Sequence, residues 1–230
     1  MPDASCASAV VLYDAALGGT PDTQGMLFQT LAISATQSFS NGATLLDTTG
    51  RRDDFAGYVA NPALTPTLDR TSGYTLTFQL QVLAEQHNNA NRAGFSIIAL
   101  SSDARGIELG FWTDEVWAQE DGDAEPPTGT LFTHAEGAVF DTSSALITYT
   151  LAIKGDEYQL SADGAQILSG ALRDYSALVG PIDPYETPNF VFLGDDTRSA
   201  AARSRLAALS ITTAAACQQY PIFLPLVMRA

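Results

Sequence analysis

Alternation with a period of two dominates the middle of this chain. Between Arg92 and Gln119 (RAGFSIIALSSDARGIELGFWTDEVWAQ), Ala93, Phe95 and Ile97 alternate with Arg92, Gly94 and Ser96. Ile107, Leu109 and Phe111 then alternate with Glu108, Gly110 and Trp112, and Val116 and Ala118 with Trp117 and Gln119. Ser101, Ser102, Asp103 and Gly106 mark one turn, and Thr113 and Asp114 a second. Side chains change sides at every residue of a strand, so the pattern predicts three antiparallel strands with one face on a core. Tyr74 to Leu83 repeats it: Leu76, Phe78, Leu80 and Val82 point one way, and Thr75, Thr77, Gln79 and Gln81 the other.

Shorter signals fill in the rest. VVLYDAALGG and MLFQTLAI read as strands around a turn at Gly19 to Asp22. Gln37 to Leu46 carries Asn41-Gly42, a hairpin signal. Arg51 to Tyr58 and Asn61 to Arg70 read as loops. Ile147 to Ile153 is a strand, and Glu157 to Ala162 joins Ala165 to Leu168 across Asp163-Gly164 as a hairpin. Leu172 to Tyr185 is a long connection. Asn189 to Leu193 and Leu206 to Thr212 are the closing strands; Ala200 to Ala208 holds good helix formers that also fit the start of the last strand. No helix of three turns is expected. Many short strands with turn signals between them predict an all-β antiparallel sandwich.

At 230 residues the chain fits one such domain. We expect it over residues 1–219, followed by a short apolar tail at 220–230 (YPIFLPLVMRA) that two prolines break. No window is long and apolar enough to span a membrane. The formal charge is −15, and Lys154 is the one lysine. Nucleic acid and anionic membranes need basic surface, so neither is an expected partner. The start of the chain has no basic n-region or apolar h-region. Such a start fits either a cytosolic protein or the mature form of a secreted or cell-surface one, and the second is the reading we prefer. Cys6 and Cys217 lie near opposite ends, and terminal strands of a sandwich are often neighbours; a disulfide between them is expected.

The order of these elements resembles the concanavalin A-like jelly rolls, which include laminin G-like and pentraxin-like domains. The strands YTLTFQLQV, RAGFSIIAL and GIELGFW, the hairpin YQLSADGAQIL and the exit FVFLGDDTRSAAARSRLAALSI carry the likeness. More narrowly, residues 10–213 resemble the choice-of-anchor Y domain proteins of bacterial surfaces, in the phrases LYDAALGGTPDTQG, DRTSGYTLTF, GIELGFWTDEVWAQ, FTHAEG, LRDYS and YETPNFVFLGDDTRSA. The resemblance implies a fold and a surface location, and no activity. Jelly rolls of this type often bind glycan on the concave sheet and often hold calcium.

Candidate chemistry lies on the second face of the central strands, with Arg92, Ser96, Glu108, Trp112, Trp117 and Gln119. Flat aromatics beside hydrogen-bonding groups suit a sugar, whose C–H face stacks and whose hydroxyls need partners. Trp112 and Trp117 are expected to stack on sugar rings, with Arg92, Glu108 and Gln119 binding hydroxyls or a uronate carboxyl. The bland alternative is a second buried layer under the 120–136 loop. His87 and His134 are the only histidines, and His87 is a further candidate for ligand binding. With Glu108 and Glu136, His134 offers acid/base chemistry, which makes a glycoside hydrolase or polysaccharide lyase the rival reading. No nucleophile elbow, zincin or P-loop motif is present. Asp195 and Asp196, and the acidic loop from Glu120 to Glu125, are candidate calcium ligands or simple Asx turns. Arg173, Tyr175 and Tyr185, in the long connection, either wall the pocket or form a self-contained pair of Arg173 with Asp174. A structural surface protein with no small ligand is the third reading. Carbohydrate binding on the concave face is the reading we prefer.

Overall fold

The computed structural model describes residues 5–122, 131–179 and 183–216. Cys217, Glu125 and the 220–230 tail lie outside the described residues, so the expectations placed on them do too. The alternation at Tyr74 extends further than expected, into a 14-residue strand, β6 (Tyr74–His87). Its partner is the 17-residue β15 (Ala200–Ala216). Here the helix-forming composition of Ala200 to Ala208 yields to tertiary context. One edge of β15 pairs with β6 from Ala200 to Thr213. The other edge pairs with β1 (Ser5–Asp14) and with β4 (Ala43–Asp47). A segment hydrogen-bonded on both edges has no freedom to coil, whatever its propensity.

Around this pair an eight-stranded sheet runs β13 (Ala165–Ala171), β12 (Glu157–Ala162), β11 (Ile147–Lys154), β6, β15, β4 and β3 (Thr36–Ser40), with β1 beside β15. Two hairpins follow their turn signals: Asn41 and Gly42 take φ of 51° and 67°, and Asp163 and Gly164 take 46° and 83°, the left-handed pair that a type I′ turn requires. A seven-stranded sheet faces it, in the order β10 (His134–Val139), β9 (Glu115–Gln119), β8 (Gly106–Phe111), β7 (Ser96–Leu100), β14 (Val191–Asp195), β5 (Ala56–Val59) and β2 (Leu27–Thr30). All pairings are antiparallel. Strand β5 lies where the sequence reads as loop. Its AGYV has no alternation because residues 56–58 are buried on both faces.

The inner faces meet as the alternation predicts. Leu76, Phe78 and Leu80 from one sheet pack on Ile97, Leu109, Phe111 and Val116 from the other. Phe78 stacks on Tyr149 at 5.3 Å and meets Phe111 edge-on at 6.1 Å. This is an antiparallel jelly-roll sandwich of the concanavalin A-like kind. The described helical pieces are three short 3-10 turns, at Ala15–Leu17, Pro21–Gln24 and Tyr175–Ala177. The Gly19 to Asp22 turn leads into the second of these, with Pro21 in its first turn.

A second, smaller cluster sits on the outer face of the seven-stranded sheet. Ile98, Leu100 and Phe192 project from the strands, and Tyr175 and Tyr185 fold over them from the long 172–190 connection. Phe132 stacks on Tyr175 at 5.4 Å and approaches Tyr185 at 5.0 Å. This connection shapes the candidate site.

Candidate functional site

The outer face of the seven-stranded sheet is divided into a sealed part and an open part. Gly110 explains the seal. It stands opposite Trp117 in the β8–β9 ladder, and a Cβ there would meet the indole Cε2 at 2.9 Å. The missing side chain lets the indole lie flat on the sheet. Trp117 is completely buried, and its Nε1 has no hydrogen-bond partner. His134 covers it at 4.3 Å. Trp112 is half-buried, stacks on His87 at 4.2 Å and donates Nε1 to the Arg92 carbonyl at 2.9 Å. Each histidine is held by a carboxylate: His87 Nδ1 lies 2.8 Å from Glu85 Oε2, and His134 Nε2 lies 3.1 Å from Glu115 Oε1. Burial raises the Glu85 carboxyl above its ordinary range. The four rings form one packed aromatic patch.

The open part is a cavity of about 620 Å³ next to that patch. Its floor carries Glu108, Gln119 and Asp196, and Arg92 and Arg198 stand at its side. Phe55, Phe132, Phe190, Phe192 and Tyr185 supply aromatic walls, and Leu31 and Leu178 also line it. The sequence places Glu108 and Gln119 here by simple strand alternation. Where the β8–β9 ladder ends, the buried Tyr175 hydroxyl takes over. It accepts from Glu108 N at 3.1 Å and donates to Gln119 O at 2.9 Å, which fixes both backbones.

Glu108 is 2% exposed. Tyr185 donates its hydroxyl to Glu108 Oε2 at 2.5 Å, and the Asp196 carboxyl lies beside Glu108 on the same cavity floor. Burial, and then the nearby Asp196 charge, push the Glu108 carboxyl well above its ordinary range. Burial raises Asp196 too. Glu108 is buried and Asp196 half-buried, and both shifts run in the direction that favours a proton on the pair. Gln119 is 2% exposed; its Nε2 reaches Asn91 O at 3.5 Å, and its Oε1 has no partner. An unmet buried acceptor costs free energy, on the order of 1–3 kcal/mol. In the wall of a cavity, that is a place for a ligand donor.

The other expected residues lie elsewhere. His134 and Glu136, on β10, do not line the cavity that holds Glu108. Glu136 accepts from Tyr158 at 2.7 Å and from Arg173 Nη2 at 2.6 Å. Arg173 also faces Glu120 at 3.4 Å, so this cluster ties the edge of one sheet to the other. Asp174 caps the Tyr175 turn through Ser176 N and does not pair with Arg173. Asp195 and Asp196 are neighbours on an extended segment and leave it on opposite sides. Asp195 is fully buried, accepts Thr48 Oγ1 at 2.6 Å and Thr197 N at 3.1 Å, and is pushed up to about 9 by burial. The two do not converge on one ion. Among the described residues no three His, Cys, Asp or Glu side chains do. These residues do not fit a calcium site. Among them, too, no helix is long and apolar enough to cross a membrane.

Comparison with known proteins supplies the fold alone. No family model matches the chain, and no curated protein matches it. The choice-of-anchor Y likeness therefore stands on the quoted phrases. Solved structures do match. A conserved carbohydrate esterase from Shiga toxin-encoding bacteriophage phi24B superposes with a TM-score of 0.56 at 15% identity, over 90% of this chain and 99% of that one. A protein of unknown function with a galectin-like fold from Bacillus subtilis gives 0.52 at 10% identity, over 91% and 99%. The carbohydrate recognition domain of Emp46p, in its potassium-bound form, gives 0.50 at 10% identity, over 88% and 95%.

Proposed function

We propose that this chain is a carbohydrate-binding domain, exported from the cell, whose ligand enters the cavity on the outer, concave face of the seven-stranded sheet. One observation carries the reading: an aromatic-walled cavity whose floor holds buried polar groups, one of them, Gln119 Oε1, unpartnered. A volume of about 620 Å³ is in the range of small-molecule sites. A pyranose presents an apolar C–H face to Phe190 or Phe132 and hydroxyls to Glu108, Asp196 and Gln119. The expectation drawn from the sequence had Trp112 and Trp117 as the stacking platform. In the proposal now made, the phenylalanines stack and the indoles hold the floor in place.

Hydrolysis at the same face is the rival. Glu108, its carboxyl raised by burial and by Asp196, has the character of a general acid. Glycosidase carboxyls, however, stand about 5–9.5 Å apart, to leave room for a nucleophile or water across the scissile bond. Here Glu108 and Asp196 lie close enough to shift each other's titration, and Tyr185 closes on Glu108 Oε2, which favours binding.

A glycan array followed by calorimetry on the hits tests the proposal. Phe190→Ala should weaken the best hit at least about tenfold, because stacking and its buried area are lost. Incubation of the same glycans should release no reducing ends. An array with no hits, or hits indifferent to Phe190→Ala, would refute the proposal; reducing ends would transfer it to the hydrolase.

A further inference from the structure

The cavity floor has acceptors in excess of donors. Glu108, Asp196 and Gln119 Oε1 all face it. Tyr185 has one hydroxyl hydrogen, and it goes to Glu108. Arg92 directs Nη1 to two backbone carbonyls, Asn91 O at 2.6 Å and Phe132 O at 2.5 Å, and its guanidinium lies 5.9 Å from the Phe132 ring centre. Among the described residues neither Arg92 nor Arg198 forms an ion pair with Glu108 or Asp196. Arg92 is near enough to act on both carboxyls through its charge, yet among the described residues the pair has no direct ion-pair partner at the bottom of a cavity walled by five aromatic rings. Carboxylates below and aromatic faces around are the two features that recognise an organic ammonium.

Resting on the carbohydrate reading, the geometry points to an amino sugar as the ligand, with its protonated amine seated among Glu108, Asp196 and Gln119 Oε1. An ammonium brings three N–H donors and no acceptor, which matches the three acceptors of the floor. The field of a chain with formal charge −15 draws cations and repels uronates. The charge change on binding follows. The carboxyl pair, raised in the empty cavity, is taken to share one proton. After binding, both are carboxylates around the ammonium; an amine already protonated in solution sends the shared proton to the buffer, whereas a neutral amine takes it up. The other charged and titratable groups facing the pair are Arg92 and Arg198, fixed cations, Asp183 across the cavity, and the Tyr175 and Tyr185 phenols. Burial keeps both phenols above their ordinary range, so neither supplies the proton.

The test is calorimetry at pH 5.5, where the free amine is protonated, and 150 mM salt, with glucosamine tetrasaccharide and its fully N-acetylated counterpart. Running each in acetate and in MES, whose ionisation heats differ, counts the protons released. The amine form is expected to bind at least tenfold more tightly and to release close to one proton. Asp196→Asn changes the net charge by one unit in fifteen, so general attraction to an acidic surface survives it while the site is lost. It should abolish the proton release and most of the tenfold preference. Glu108→Gln is the second variant, should Asp196→Asn fail to fold, and the wild-type proton count stands without either. Equal or tighter binding of the N-acetylated form would overturn the inference and leave the carbohydrate reading intact. So would an amine preference without proton release that Asp196→Asn leaves unchanged, since that is surface attraction. Cyclohexylammonium binding with the same proton release, while every glycan fails, would uphold the ammonium pocket and sink the carbohydrate reading. No binding of any probe would sink both.

Discussion

Asp195→Asn should stabilise this protein at neutral pH. Asp195 sits on the core side of β14, fully buried, with its carboxyl between Thr48 Oγ1 and Thr197 N. No cation is paired with it among the described residues. Burial raises it from 3.8 to about 9. The fold thus prefers the neutral acid, and its contribution is fully present below pH 3.8 and lost as pH rises through about 9. Each pH unit of that window is worth about 1.36 kcal/mol. Between pH 4 and pH 7 the sum is about 4 kcal/mol, an upper bound, since local relaxation and water reduce it. Asparagine has the same shape and no charge to lose. Its amide oxygen can accept Thr197 N, and its amide can donate to the Thr48 hydroxyl, which already accepts Ala202 N at 2.9 Å. Taking half of the bound, the variant should gain about 2 kcal/mol at pH 7, or about 4–8 °C in Tm for a domain of this size. Near pH 4 the gain should vanish. Thermal melts of both proteins from pH 4 to 8 test this; Glu108 and Asp196 titrate in the same direction, so the difference between the two proteins is the quantity to read. If Asp195→Asn is destabilising at pH 7, or its effect does not change with pH, the assignment of a neutral buried acid is wrong.

Three further substitutions examine other links. Gly194 has φ of 149°, and an added Cβ would run into the backbone of Ala56 and Gly57 on β5, so Gly194→Ala should cost at least about 2 kcal/mol in urea unfolding. Trp117→Ala removes a fully buried indole and should cost about 3–5 kcal/mol by the same measurement. Arg173→Gln removes contacts to Glu136 and Glu120, both partly exposed, and should cost about 1–2 kcal/mol, falling as salt is raised.

What the sequence revealed depended on whether the cause was local. Period-two alternation placed β6, β8, β9 and β11, and Asn41-Gly42 and Asp163-Gly164 placed two hairpins, because side-chain direction and turn geometry are decided within a few residues. Strand β5 escaped because AGYV is covered on both sides and has nothing to alternate. The start of β15 was ambiguous because its alanines and arginines favour a helix, and only the three strands beside it decide otherwise. Alternation also put Glu108, Trp117 and Gln119 on one face, but period two gives the side of a sheet and not what covers it. Trp117 is sealed because of Gly110 and His134, and the cavity opens beside it. Its walls come from residues 55, 132, 185, 190 and 192, segments that no local pattern joins. Asp196 was paired in the sequence with Asp195 as a metal ligand, although the same alternation, applied to an extended segment, sends neighbours apart.

The sealed and open halves of the face are mechanically connected, and that connection gives the tryptophans a role. Trp112 holds the Arg92 carbonyl, and Arg92 in turn holds the carbonyl of Phe132, a wall of the cavity. Asn91, beside Arg92, accepts His134 N through Oδ1, so the ladder strand that covers Trp117 is fastened to the same corner. Loops that carry binding groups need a rigid support to hold an aromatic wall at stacking distance. The chain provides one by packing both of its indoles and both of its histidines into a single patch next to the cavity. A patch that only filled space would need no indole donor aimed at a backbone carbonyl. The hydrogen bond from Trp112 Nε1 is what converts packing into position, and it makes the wall at Phe132 as firm as the sheet beneath it.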